Sequence, residues 1–499
     1  MYKKFLITLT DEEIDDLGGV APDDEYSKDF FRKEFEKGLL LDLLDEATYI
    51  NTEYSLQGSN VDEYCDWLTQ NFQYSSRKNH KDRIYVFLKI LLANILISYY
   101  RFRFMGYFTI QLKTNIYSKS IYNQSLTAKS VNEVIDYLLD IGWIDIAREH
   151  IKPSKNKKGT SKRYDWSSLF INGFRDKKIG MGNIVFIGNP IELKKKKDPD
   201  AMEEERITYQ DNKNTKKLRE EMEFINNGLK KYETYIQDKA LINYCKKEAK
   251  HMLGNSEFIS KEGLREGYYI AKYSQNSYTR VFSRGSFDNG GRLFHHWITD
   301  TPKELRKKIV INGKAIVELD FGSMNMHLMY SLLGNSTFSK KDLYQVKGLK
   351  KLDRDLVKQF CTVAINTSTT YKAKLTTYKE IYIKKINSLK DAPVSFVEKL
   401  DRIVDELKIT HDVLWDEYFN SQHKKKDYSV KLNYHESNIA IAIMGKCLAR
   451  GIPCYSIHDS FLTQVRYKNT LAKIMEDTFV EYFHGLGIDS VSVPPIKRN

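Results

Sequence analysis

Cys454-Tyr455-Ser456-Ile457-His458-Asp459-Ser460-Phe461-Leu462-Thr463-Gln464-Val465 is the stretch on which the reading of this chain turns. Two apolar, β-prone runs flank a His-Asp pair, a pattern that predicts a tight hairpin with the acidic residue at its tip. A second extended run, Ala315-Ile316-Val317-Glu318-Leu319-Asp320, ends in another aspartate. Two carboxylates, each fixed at a strand end and far apart in sequence, suit a two-metal phosphoryl-transfer site. In such a site the ions sit about 3.5–4 Å apart and clamp the attacking and leaving oxygens of an in-line displacement.

The rest of the chain sets bounds on that reading. At 499 residues it has material for several domains with sizeable cores. Lys and Arg number 79 against 66 Asp and Glu, a formal net charge of +13. A basic balance of this size favours a polyanionic partner, nucleic acid above all, through counterion release from phosphates. Five cysteines (Cys65, Cys245, Cys361, Cys447, Cys454) are scattered without C-x-x-C spacing. They predict reduced thiols, a cytoplasmic setting and no zinc site. The most apolar run, Ile84 to Tyr100, is interrupted by Lys89 and ends in Arg101-Phe102-Arg103, so it reads as a buried amphipathic helix with no membrane association. Near the N-terminus, Asp11-Glu12-Glu13 follow closely on Met1 to Leu6, and no signal peptide is expected.

Four regions are expected. Residues 1–80 are mixed and acidic, with a helical pattern around Phe30 to Leu44. Residues 81–190 hold a Ser/Thr-capped helix with Val131, Val134, Ile135, Leu138 and Leu139 on one face, then Gly142 as a helix stop, a strand, a basic loop and a second strand. Helix, glycine, strand, basic loop, strand is similar to a winged helix-turn-helix, in which Lys155, Lys157, Lys158 and Lys162 of the wing would lie on a DNA backbone. A helix on a hairpin with merely solvated lysines is the plain alternative. Residues 191–265 read as an exposed linker (Glu192 to Asp211, with Lys194 to Lys197 and Asp198-Pro199-Asp200) followed by charged helices. Residues 266–499 carry the chemistry.

There, four elements occur in one order: Gly291-Arg292-Leu293, the Asp320 strand, Arg354-x-x-x-Lys358, and His458-Asp459-Ser460-Phe461. Together they resemble the palm-and-fingers core of family A DNA polymerases and the related phage-type single-subunit RNA polymerases, over roughly Tyr278 to Val465. The resemblance implies an α+β right-hand polymerase fold (palm, fingers and thumb-like helices) preceded by the winged-helix-like module. It also implies a DNA template, nucleoside triphosphates and two Mg²⁺ ions, with Mn²⁺ as an alternative.

Within that frame Asp320 and Asp459 are the expected metal ligands, and His458 could orient the primer end. A strand-end cap for Asp320 and an ordinary turn residue for Asp459 are the plain alternatives. Arg354, Lys358 and Thr362 recur at i, i+4, i+8 and share a helical face suited to triphosphate oxygens. Arg292, after two glycines that let backbone approach a ligand, and Glu436, on an apolar helix, are expected at the primer-template; Arg306 and Lys308 are weaker phosphate contacts.

The family's DNA polymerases exclude ribonucleotides with a glutamate and a tyrosine. Counting from the motifs places Asn325 and Asn366 at these positions, which implies relaxed or ribose-preferring sugar selection. No acidic cluster with exonuclease spacing is found in residues 1–260. A polymerase without proofreading, joined to a DNA-binding module, suits primer synthesis on a phage or other mobile element, with an accessory replication protein as a further partner. A single-subunit RNA polymerase, and a non-catalytic replication initiator with a degenerate palm, are the other two readings.

Overall fold

Apolar side chains gather into two cores, one drawn from Tyr54 to Ile184 and one from Ile191 to Val493. The computed structural model describes residues 7–8, 48–77, 79–102, 108–110, 126–150, 161–195, 205–249, 255–256, 261–367, 369–382, 388–389, 392–419 and 428–498. Helices and mainly antiparallel strands mix throughout, so the chain is an α+β protein.

The first core is built around the 23-residue helix His80–Phe102. By length and composition His80–Arg101 could cross a membrane, at a mean hydropathy of 1.4. Half of that stretch is buried, however, and Ile84, Phe87, Leu88, Leu91 and Ile95 are in the core. The core also reaches back past residue 80. Strand Tyr54–Leu56 pairs with Ile184–Phe186, and Val61, Tyr64, Cys65 and Leu68 of helix Ser59–Leu68 are buried in it. A boundary at residue 80 therefore cuts a packed unit. The start of the long apolar-periodic run at Lys81 set that boundary, and the helix it marks packs on residues from both sides of it.

Helix Ala128–Asp140 opens on Thr127, whose side chain accepts from the Ser130 N–H at 3.2 Å. It closes with the Trp143 N–H on the Leu138 carbonyl at 2.9 Å and the Gly142 N–H on Leu139 at 3.1 Å. Gly142 has φ +69°, the left-handed cap that favours glycine. Strands Ile144–Arg148 and Arg163–Trp166 then pair antiparallel, and the sheet continues to Phe108–Thr109 and Thr48–Tyr49. The loop 151–160, with Lys155, Lys157 and Lys158, lies outside the described residues, as does the helical pattern around Phe30 to Leu44. Lys162 is described, and its ammonium is 3.1 Å from Glu149 across the hairpin.

The segment expected as linker and free helices joins the second core. Strand Ile191–Leu193 pairs parallel with Thr279–Phe282. Glu192 is buried, and Arg206 neutralises it while also reaching Glu53 at 2.7 Å. Helix Lys213–Leu229 buries Leu218, Met222, Ile225 and Leu229, and strand Thr234–Ile236 pairs with Ile309–Ile311. Those four apolar residues recur at helical spacing in an otherwise charged stretch, and that stripe is the face turned to the core.

The central sheet runs in the order Tyr455–Ile457, Ser460–Gln464, Lys314–Phe321, Ile309–Ile311, Thr234–Ile236. The C-terminal strand Ile496–Arg498 pairs with the end of Lys314–Phe321, from Leu319↔Arg498 to Phe321↔Ile496. Helix Tyr428–Ala449 lies against strand Gly290–Phe294 and helices Lys213–Leu229 and Lys468–His484.

Three histidines are buried in this unit. His296 stacks on Tyr278 with centroids 4.5 Å apart. The ring of His327 reaches the Lys341 carbonyl at 2.9 Å through Nε2 and the Ser492 hydroxyl at 2.9 Å through Nδ1. His411 contacts the Leu343 carbonyl at 3.1 Å through Nε2 and the Tyr330 hydroxyl at 2.7 Å through Nδ1. A carbonyl only accepts, so Nε2 carries the proton in His411. Burial pushes the three imidazoles down, to about 3 for His296 and about 4 for His327 and His411.

The unfolded chain therefore binds protons that the folded one refuses, between the usual histidine value near 6.5 and these lowered values. Stability is full above about pH 6.5 and falls as pH drops toward about 4. Thermal unfolding followed from pH 7 to pH 4 should show this loss. His296→Asn, which keeps an acceptor near the Nδ1 position, should reduce it, and His327 and His411 should supply the remainder.

Candidate active site

The site is a product of strand pairing. His458 and Asp459 form the two-residue turn between Tyr455–Ile457 and Ser460–Gln464, with Ile457 opposite Ser460. His458 takes φ +56°, a left-handed conformation that holds the turn tight. Ser460 in turn lies opposite Asp320, and its hydroxyl donates to Asp320 Oδ1 at 2.7 Å. The Phe321 N–H donates to the Asp459 carbonyl at 3.2 Å. The two predicted carboxylates thus come together on neighbouring strands.

Both carboxyls are held above the ordinary aspartate range. For Asp459 the causes are burial, then the negative charges of Glu436 and Asp320. For Asp320 burial dominates, while the Ser460 hydroxyl and the ammonium groups of Lys358, Lys497 and Lys303 pull the other way. A divalent cation between them would relieve this like-charge cost, so the pair fits Mg²⁺. Among the described residues no cluster of three or more His, Cys, Asp or Glu side chains is arranged to hold a metal. Remaining positions on an ion would fall to water and substrate oxygens, which Mg²⁺ commonly keeps.

Arg292 and Glu436, both expected on nucleic acid, instead meet each other. The guanidinium grips the carboxylate through Nε at 2.8 Å and Nη2 at 2.7 Å, and the Glu436 side chain is only 3% exposed. This answers why an acidic residue occupies that apolar helix: its charge is neutralised in place. The pair borders the turn, since Phe294 packs edge-on against His458 at 5.8 Å. Burial and the positive charges of Arg292 and Arg306 push the His458 imidazole below its ordinary range against the opposing charge of Glu436, and its Nδ1 is buried without a hydrogen-bond partner among the described residues.

The double glycine admits close packing within the protein. Gly291 has φ +76°, and a Cβ there would lie 2.9 Å from Phe282 and 3.1 Å from Ser437 Oγ. Its carbonyl accepts from Arg280 Nε at 3.0 Å, and Arg280 also donates to Ser437 and Asn438 on the Glu436 helix. Arg280, fully buried, was not among the expected site residues; a lone arginine in an apolar strand gives no sequence signal.

Helix Arg354–Asn366 buries Val357, Phe360, Cys361, Val363, Ala364 and Ile365. Lys358, Thr362 and Asn366 form its exposed face, with Thr362 Oγ1 on the Lys358 carbonyl and Asn366 Nδ2 on the Thr362 carbonyl. Lys358 makes its charge felt at Asp320. Arg354 is engaged: Nε donates to Asp342 Oδ2 at 2.7 Å, Nη2 to Asp342 Oδ1 at 3.3 Å, and Nη1 to Asp355 at 3.2 Å.

Asp342 was also missed by sequence reasoning. It accepts from Ser323 Oγ at 2.7 Å and from Lys497 as well, and these partners hold its carboxyl well below the usual range despite burial. Asn325 sits in the first turn of helix Met324–Leu332, with a buried Oδ1 that lacks a partner. Arg306 is paired with buried Glu318 at 3.2 Å, and Lys308 is exposed. Lys162 belongs to the other core and takes no part here.

Arg292→Met should strand the Glu436 charge and lower stability by about 3 kcal/mol, in the range for breaking a buried pair. Adding Glu436→Gln should recover most of that loss. Denaturant unfolding of the single and double variants checks it, and independent, additive effects would contradict the pairing.

No protein-family model and no curated protein matches the chain. Among solved structures it is similar to the POL domain of Pol1 from M. smegmatis in complex with DNA primer-template and dNTP. The likeness covers 52% of this chain and 55% of that one, at 14% identity and a TM-score of 0.24. The match spans only about half of that structure, and a likeness this loose does not fix a fold.

Proposed function

We propose that this protein is a template-directed nucleotidyltransferase, a DNA polymerase or primase-polymerase that uses two Mg²⁺ ions and has no proofreading exonuclease. The observation that carries this reading is the convergence of Asp320 and Asp459 at the hairpin, with the exposed Lys358 charge acting on Asp320. When bound, the ions activate the primer hydroxyl and stabilise charge at the α-phosphate. Asp320 and Asp459 hold them, and Ser460 fixes the Asp320 carboxylate orientation. Lys358 and Arg354 bind the β- and γ-phosphates, with Thr362 further along the same face. His458, packed edge-on against Phe294, positions the primer end.

Sugar selection is relaxed in this reading, because Asn325 and Asn366 stand where bulky gating residues would be. His458-Asp459-Ser460-Phe461 favours, as a second reading, a single-subunit RNA polymerase. We infer that the N-terminal unit binds DNA. Its support is the capped helix Ala128–Asp140 leading into a hairpin whose second strand pairs with Phe108–Thr109, an order of elements similar to that of a winged helix.

Purified protein with Mg²⁺ should extend a labelled primer on a DNA template. Asp320→Asn and Asp459→Asn should each reduce extension by about a thousandfold or more, the loss expected when a metal ligand worth several kcal/mol is removed. Chelation should abolish extension and added Mg²⁺ restore it. Incorporation of rNTPs should stay within about a thousandfold of dNTPs, since no bulky group rejects the 2′-hydroxyl. DNA binding without incorporation, unchanged in both variants, would instead identify a replication initiator.

A further inference from the structure

The C-terminal strand brings one more cation to the candidate site. Lys497 lies directly opposite Asp320, on the side away from Ser460, and its charge is among those acting on that carboxylate. This placement is built in. The Gly322 N–H donates to the Pro495 carbonyl at 2.7 Å, and a Cβ on Gly322 would lie 2.8 Å from Lys497 Cε and 2.9 Å from Pro495 Cγ. Only glycine after Phe321 admits the terminal segment so close. Upstream, the Lys340 N–H donates to the Val493 carbonyl at 2.6 Å, and His327 holds Ser492.

Lys497 shares an acceptor with Arg354: both donate to Asp342 Oδ2. Asp342 is itself fixed, by Ser323 and by the two buried histidines that bind the carbonyls of its neighbours Lys341 and Leu343. Arg354, Lys497 and Lys358 set three positive charges against the two negative ones of Asp342 and Asp355, which leaves one positive charge in surplus beside Asp320. A surplus at that position suits a polyphosphate more than a single phosphate or a neutral group. Lys497 is 37% exposed at its side chain and has donors to spare.

We propose that Lys497 contacts the β- and γ-phosphates of the incoming nucleotide, and that Asp342 is the positioning residue that holds Lys497 and Arg354 for this contact. The inference rests on the polymerase reading above and adds a group from the end of the chain that no motif marks.

Equilibrium binding of a dNTP and of the matching dNMP to the full chain tests it, with Ca²⁺ replacing Mg²⁺ and primer-template present. Lys497→Met should weaken dNTP binding by about tenfold or more, the scale of one charge-assisted contact, and leave dNMP binding unchanged. Lys497→Arg should restore dNTP binding. Lys497→Gln provides the same comparison if the Met variant does not fold. Wild-type dNTP affinity in the neutral variants, or equal weakening toward dNTP and dNMP, would overturn the role of Lys497 while leaving the polymerase reading intact. If the wild-type chain neither binds dNTP nor extends a primer, the polymerase reading fails first, and this inference with it.

Discussion

Everything at the candidate site depends on one strand register. Pairing of Asp320 with Ser460 puts Val317, Leu319 and Phe321 on the core face and Glu318 and Asp320 on the other. Strand side chains alternate, so a slip by one residue would bury Asp320 in the core and present Leu319 to the hairpin tip. The apolar residues therefore do more than stabilise the sheet: they fix which carboxylate faces Asp459. The same strand is paired on its other edge by Ile309–Ile311 along its first half and by Ile496–Arg498 along its second, which locks the register from both sides.

Charge is then arranged around that fixed point in two different ways. Glu436, Glu318 and Glu192 are buried and each has its own arginine: Arg292, Arg306 and Arg206. Such pairs neutralise an internal charge and contribute little net stability, but losing one partner is expensive. Asp320 and Asp459 have no arginine of their own. Burial raises both, Glu436 and Asp320 raise Asp459 further, and the opposing cations act from a distance, Lys358, Lys497 and Lys303 on Asp320 and Arg292 on Asp459. That contrast separates groups placed for structure from groups placed to meet something else.

The sequence made the chemistry legible where a residue sits at the end of a strongly patterned element. Asp320, Asp459, the Arg354–Lys358–Thr362 face, Thr127 and Gly142 all fall where periodicity and cap chemistry place them. Partnerships were not legible. Arg292 and Glu436 are 144 residues apart, and nothing in either local pattern names the other. Asp342 follows two lysines in a polar segment, and its position is set by Ser323, His327 and His411, each from a different stretch of chain. Lys497 lies on a three-residue strand, too short to show alternation. The linker expected after Glu192 failed for a similar reason. A buried glutamate reads as an exposed one until its arginine is found.

The two cations on Asp342 are not equivalent partners for an incoming anion. Arg354 commits Nε and Nη2 to Asp342, so only its Nη1 end, resting on Asp355, can turn outward without breaking that grip. Asp355 is 92% exposed, and an exposed pair of this kind is worth at most about 1 kcal/mol. Exchanging it for a phosphate oxygen therefore costs little. An ammonium has three donors, and Lys497 can keep its bond to Asp342 while presenting another. Both cations can thus meet an anion with Asp342 still in place. The carboxylate then acts as a fixed anchor rather than a competitor, and little has to rearrange when the anion arrives.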